Sequence, residues 1–128
     1  MVESVFTKII KGEIPCHKVY EDDLTLAFLD IRPVQPGHIL VVPKKQVDHL
    51  WDLPDEDYQA VMATCKKVAQ RMRRVLGVAR VGVRVIGEEV PHAHVQLIPF
   101  NTIQQYIGPP NLNADDKALA EMAAKLAL

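Results

Sequence analysis

The segment from Pro54 to Gly77 is the longest periodic stretch of the chain, and it dictates what the rest must supply. Asp55, Glu56 and Asp57 fill its first turn, Arg71, Arg73 and Arg74 sit near its end, and Pro54 and Gly77 are the start and stop signals of a helix. Tyr58, Val61, Met62, Cys65, Val68, Ala69, Met72 and Val75 fall on one face at helical spacing. An apolar stripe of that length needs a flat apolar surface to cover, and the short apolar runs elsewhere provide one. His38-Ile39-Leu40-Val41-Val42-Pro43, entered through Pro36-Gly37, is apolar on both faces after His38 and reads as a central strand. His17 to Glu21 and Leu24 to Ile31 flank Asp22-Asp23 and read as a hairpin. Val78 to Ile86 alternates Val81, Val83 and Val85 against Arg80, Gly82 and Arg84, the pattern of a half-buried strand. His92 to Pro99 pairs with it as a second hairpin.

Two shorter helices complete the pattern. Phe6, Ile9 and Ile10 follow Ser4 at helical spacing and stop at Gly12, and Leu119, Met122, Ala123 and Leu126 follow Asn113 and Asp116 in the same way. The order α, β, β, β, α, β, β, α predicts an α+β fold: an antiparallel sheet of about five strands carrying one long helix and short terminal helices, with residues 1–128 as a single domain. At 128 residues the chain can build one core without staples, and Cys16 and Cys65 are too far apart for a CxxC motif, so they read as free thiols. Fifteen basic against sixteen acidic residues give a net charge of -1 with no long run of either sign, which argues against a nucleic-acid partner. The basic cluster at Arg71, Arg73 and Arg74 reads as a solvated helix end. No apolar run has the length of a membrane span or a signal peptide, so no membrane partner and a cytoplasmic location are expected.

The chemistry concentrates in the last strand. Side chains at i, i+2 and i+4 of a strand share a face, which puts His92, His94 and Gln96 in one polar row while Ala93, Val95 and Leu97 turn to the core. Two imidazoles and an amide with no charged residue are an odd choice for solubility alone. One reading is a metal site built on His92 and His94, which would need His38, His49 or Glu88 to complete it because Gln is a poor zinc ligand. The other is nucleophilic attack on phosphorus by a neutral imidazole, with neighbours that hold the ring and the phosphate oxygens and with no cofactor.

The run Phe6-x-Lys8-Ile9-Ile10-x-Gly12-Glu13-Ile14-Pro15, then Val19 to Asp22, Ala27 to Ile31, Pro36-Gly37-His38 with Val41 to Lys44, and His92-Ala93-His94-Val95-Gln96-Leu97-Ile98-Pro99, resembles the histidine triad (HIT) superfamily of nucleotide hydrolases and transferases. The resemblance spans Phe6 to Phe100 in the family's order. It implies a small-molecule nucleotide substrate attacked at its α-phosphate by His94, with a covalent nucleotidyl-histidine intermediate. It further implies that His92 and His38 orient and support the nucleophile, that Asp30 binds the ribose hydroxyls, and that Phe6, Ile9, Leu29 and Ile31 line the base pocket. A homodimer whose sheets join across a two-fold axis is also implied.

Three positions depart from the resemblance. Gln96 stands where the hydrolase branches carry a third His, as in the transferase side of the superfamily, and it can donate a hydrogen bond without exchanging a proton. The loop before the motif is cut to Gly87-Glu88-Glu89-Val90-Pro91, whose two carboxylates would repel a phosphate unless they point outward. Ile86 occupies a position where relatives place an Asn. These departures leave a second reading, a nucleotide-binding or interaction module with weak or no catalysis. His17 and His49 have no role in either.

Overall fold

In the computed structural model, which describes residues 2–128, Ser4 caps the first helix, α1 (Val5–Ile10), by accepting a hydrogen bond from the Thr7 amide at 3.0 Å. Strands β1 (Lys18–Glu21) and β2 (Thr25–Leu29) form the expected hairpin. Asp22 closes its turn by accepting from the amides of Leu24 and Thr25 at 2.9 and 2.8 Å. β2 stops at Leu29, two residues short of the expected end. There the Asp30 carboxylate accepts from the Arg32 amide at 2.8 Å, an Asx turn that bends the chain ahead of Pro33. Asp30 and Ile31 therefore leave the sheet at its end instead of lying within a strand.

β3 (Ile39–Pro43) is buried along its whole length, as its two apolar faces require. A single 3-10 turn at Leu50–Asp52 leads into α2 (Asp55–Leu76), which ends at Gly77 in a left-handed conformation (φ +66°). Its core-facing stripe is the predicted one except for Met62, which is exposed. β4 (Arg80–Arg84) and β5 (Val95–Phe100) pair antiparallel. A four-residue helix absent from the sequence reading follows: α3 (Ile103–Tyr106), held by a capping box between Thr102 and Gln105. α4 (Asp116–Leu126) is capped by Asp115, not Asn113, because the Asp115 carboxylate accepts from the Ala118 amide at 3.3 Å. Arg71 Nη2 donates to the Lys125 carbonyl at 3.3 Å, so this member of the basic cluster ties α2 to the end of α4.

The five strands form one antiparallel sheet in the order β1-β2-β3-β5-β4. Ala27, Leu29, Ile39, Val41, Val95 and Leu97 face α2 in the larger core cluster. On the opposite face Phe6 of α1 packs on Leu26, Phe28, Leu40 and Val42. α1 covers only part of that face, and the remainder is open. At the far edge β4 departs from simple alternation. Val81 packs on the α2 side, but Val83, and Val85 just past the end of the strand, are exposed. On the opposite row Arg80 is exposed but Gly82 and Arg84 are half-buried, because Tyr106 lies so close over Gly82 that a Cβ there would overlap its ring.

Candidate active site

β5 begins at Val95, so His92, Ala93 and His94 precede the strand that was expected to contain them. Pro43, which would pair with Ala93, has no amide hydrogen, and its carbonyl is already taken by a side chain: His92 Nε2–H donates to it at 2.8 Å. The Ala93 amide instead donates to the Val47 carbonyl at 2.7 Å. The alternation survives the irregularity, since Ala93, Val95 and Leu97 face the core as expected.

The hydrogen bonds assign the state of each imidazole. A carbonyl only accepts, so His92 carries its proton on Nε2, and its Nδ1 accepts from the Ser4 hydroxyl at 2.7 Å. His92 is fully buried, and burial holds its pKa below the ordinary imidazole value, against the opposing pull of its bond to Pro43. With both nitrogens engaged, His92 has no lone pair for a metal, which removes the metal site that was to use it. His94 Nδ1–H donates to the His92 carbonyl at 2.9 Å, so the Nε2 of His94 keeps its lone pair. The Phe6 ring stands edge-on to His94 with centroids 4.9 Å apart and limits where that imidazole can turn.

His38 is set by the same logic. The Val34 amide donates to its Nδ1 at 3.0 Å, which leaves Nε2–H to donate to Gln96 Oε1 at 3.1 Å. Burial again holds its pKa below the ordinary value, with the nearby Arg84 charge adding to the effect and Asp30 and Gln96 opposing it. Asp30 Oδ2 lies 3.7 Å from His38 Nε2. Arg84 Nη2 also donates to Gln96 Oε1, at 3.2 Å. Two donors converge on one atom, which fixes the Gln96 carboxamide with its oxygen toward them and leaves its NH2 free to donate elsewhere.

These groups border a cavity of about 540 Å³ on the open face of the sheet. His38, His94, Gln96 and Asp30 line it, and so do Phe6, Ile9, Leu29 and Ile31. His92 does not: it stands behind His94 and supports it through its carbonyl. Glu88 and Glu89 line the mouth and are solvent-exposed. Of the two remaining histidines, His17 pairs with Asp116 at 2.9 Å, joining the start of β1 to α4, and His49 is exposed. Cys16 and Cys65 are free; Cys16 borders the cavity, and burial pushes the Cys65 thiol up to about 12.

Sequence reasoning missed three contributors. Ser4 has a second bond, to His92, that a cap position does not announce. Gln46 accepts from the Ser4 amide and the Thr7 hydroxyl at 2.8 and 2.6 Å and donates to the Val2 carbonyl, docking α1 over the site. Arg84 was read only as the polar side of a strand; the one available hint was the glycine two residues before it, which permits close approach on that face.

The sequence profile of the HIT domain matches residues 11–102. The chain belongs to the HIT family. Among HIT relatives it is 40% identical over 106 residues to an uncharacterized HIT-like protein of Borreliella burgdorferi, covering 77% of this chain and 76% of that one. It is 39% identical over 103 residues to the purine nucleoside phosphoramidase of Escherichia coli K12, covering 75% of this chain and 86% of the relative. It is also 40% identical over 96 residues to the adenosine 5'-monophosphoramidase of Saccharomyces cerevisiae, covering 74% of this chain and 61% of the relative. The crystal structure of a Hit-like protein from Bartonella henselae superimposes with a TM-score of 0.87 at 34% identity, covering 97% of this chain and 93% of that one. The five-stranded antiparallel α+β architecture is thus that of the HIT fold.

Proposed function

We propose that residues 1–128 act as one HIT-type enzyme that transfers or hydrolyses the nucleotidyl group of a nucleotide derivative. Nε2 of His94 attacks the α-phosphorus, a P–N bond forms, and the bond to the leaving group breaks with its electron pair departing on that group. Water or a phosphate-bearing acceptor then attacks the same phosphorus and returns the imidazole. The observation that carries this reading is the bond from His94 Nδ1–H to the His92 carbonyl. It presents the Nε2 lone pair and offsets the positive charge the ring acquires on attack. The amide of Gln96 is the donor for a phosphoryl oxygen, and His38 holds that amide in place. Asp30 takes the ribose hydroxyls, and Phe6, Ile9, Leu29 and Ile31 receive the base. The relatives named as phosphoramidases support a hydrolase that acts on nucleotides. Replacing His94 by Asn is expected to lower turnover of adenosine 5'-phosphoramidate by at least about a thousandfold. Turnover that persists contradicts the reading.

Gln96, which cannot exchange a proton, and the shortened loop Gly87 to Pro91 favour a second reading, a module that binds nucleotide without turning it over. AMP binding by calorimetry with no turnover of any nucleotide derivative would establish it.

A homodimer joined at β4 fits the same fold. β4 is an edge strand, and Val83 on it and Val85 just past its end are exposed.

A further inference from the structure

Register across the sheet aligns Phe28, Leu40, Gln96 and Arg84 on four neighbouring strands, and all four border the cavity that holds His94. The row is apolar at its β2 and β3 end and cationic at its β4 end. A nucleotide whose base lies at the apolar end and whose α-phosphate meets Gln96 therefore directs its remaining substituent toward Arg84. This guanidinium forms no ion pair among the described residues, although Glu88 and Glu89 border the same cavity, and its buried Nε has no hydrogen-bond partner there; Arg71 shares both features, but only Arg84 of the two borders the cavity. Its one side-chain hydrogen bond among the described residues runs from Nη2 to Gln96 Oε1, and the Tyr106 ring, admitted by Gly82, lies 5.9 Å from its Cζ. An arginine that is positioned, half-buried and unpaired retains its charge and offers planar, paired donors suited to phosphate.

We infer that Arg84 is a specificity-determining residue, the subsite for a second phosphate attached to the α-phosphorus of the substrate. This rests on the reading of His94 as nucleophile. In a two-step displacement at one imidazole, the leaving group departs from the side of phosphorus that the acceptor later enters. One subsite thus serves both, and it favours a phosphate-bearing leaving group over a neutral amine. Glu88 and Glu89 are solvated and screened at the mouth, so they set no comparable field at the α-phosphate.

The test compares two donors with the same nucleotide, diadenosine triphosphate, whose leaving group is an anionic diphosphate, and adenosine 5'-phosphoramidate, whose leaving group is an amine. In Arg84→Met, kcat/KM for diadenosine triphosphate is expected to fall at least about tenfold more than that for the phosphoramidate. Any disturbance passed through Gln96 acts on both donors and cancels in this ratio. Arg84→Lys, which keeps the charge and loses the fork, is expected to shift the ratio in the same direction by less, and it serves if the Met variant does not fold. If neither donor modifies His94 in the unsubstituted protein, the proposed function itself fails and this inference with it. If His94 is modified and the ratio is unchanged in both variants, Arg84 supports Gln96 only, and this inference alone is overturned.

Discussion

The Nδ1–H of His94 donates to the backbone carbonyl of His92, two residues earlier, at 2.9 Å. That carbonyl is held in turn by its own side chain, because the His92 imidazole is pinned between the Ser4 hydroxyl and the Pro43 carbonyl at 2.7 and 2.8 Å. The cap of α1, the end of β3 and the candidate nucleophile are thus one connected set. Disturbing any member reaches His94 without touching a ligand.

Ser4 is the most economical place to test that connection. Ser4→Ala removes the cap of α1 and leaves the buried His92 Nδ1 with only the Thr7 hydroxyl, 3.4 Å away and already donating to Gln46, each loss being of the order of 1 kcal/mol or more. Urea denaturation is expected to show a combined loss of about 2–3 kcal/mol. A loss below about 0.5 kcal/mol would mean that the bond from Ser4 to His92 contributes nothing.

The buried imidazoles give stability a definite pH dependence. His38 and His92 both have folded pKa values below the unfolded value of about 6.5, so the unfolded chain binds protons first as pH falls. Their contribution is complete above about pH 6.5 and is lost as pH drops through the folded values. In His92→Gln the amide offers one donor for Pro43 and one acceptor for Ser4 but cannot be protonated. The slope of unfolding free energy between pH 6.5 and 5 should therefore flatten, by up to about 1.4 kcal/mol per pH unit. An unchanged slope would assign the dependence to other groups.

Gln96 has two separable tasks, accepting from His38 and Arg84 and donating to substrate. Gln96→Glu keeps the acceptor and replaces the donor with a negatively charged oxygen where a phosphoryl oxygen is to sit. The variant is expected to melt within a few degrees of the unsubstituted protein while modification of His94 slows at least about a hundredfold. Equal rates would show that the amide does not face the phosphate.

The edge strand makes the oligomeric state a clean target. With β4 as the contact, Val83→Lys places a charge within the joined face and should convert a dimer to a monomer in size-exclusion chromatography with light scattering. A dimer unaffected by the substitution would move the interface elsewhere.

Residues near one another in the chain disclosed most of this fold. Pro54 and Gly77 bracket α2, Ser4 marks α1, and the two-sided apolar run at Ile39–Val42 becomes the middle strand, because each signal is local physics. What stayed hidden depends on distant partners. The late start of β5 follows from a bond between His92 and Pro43, 49 residues apart, and the end of β2 from a turn that Asp30 makes with its own backbone. α3 was legible in principle, since Thr102 and Gln105 carry the capping-box spacing. Arg84 was not, because alternation separates the two faces of an edge strand without saying which one is covered. For the site, the row of His92, His94 and Gln96 pointed to the right place, but only the hydrogen bonds separate the residue that meets the cavity from the one that stands behind it.

The central claim is that His94 becomes covalently nucleotidylated. Rapid acid-free quenching of the protein with adenosine 5'-phosphoramidate or diadenosine triphosphate in the presence of EDTA, followed by intact-mass spectrometry and peptide mapping, tests it directly. The account predicts an acid-labile increment of one adenylyl group on the peptide bearing His94, absent in His94→Asn. Turnover without that increment, or the increment on another residue, would contradict it.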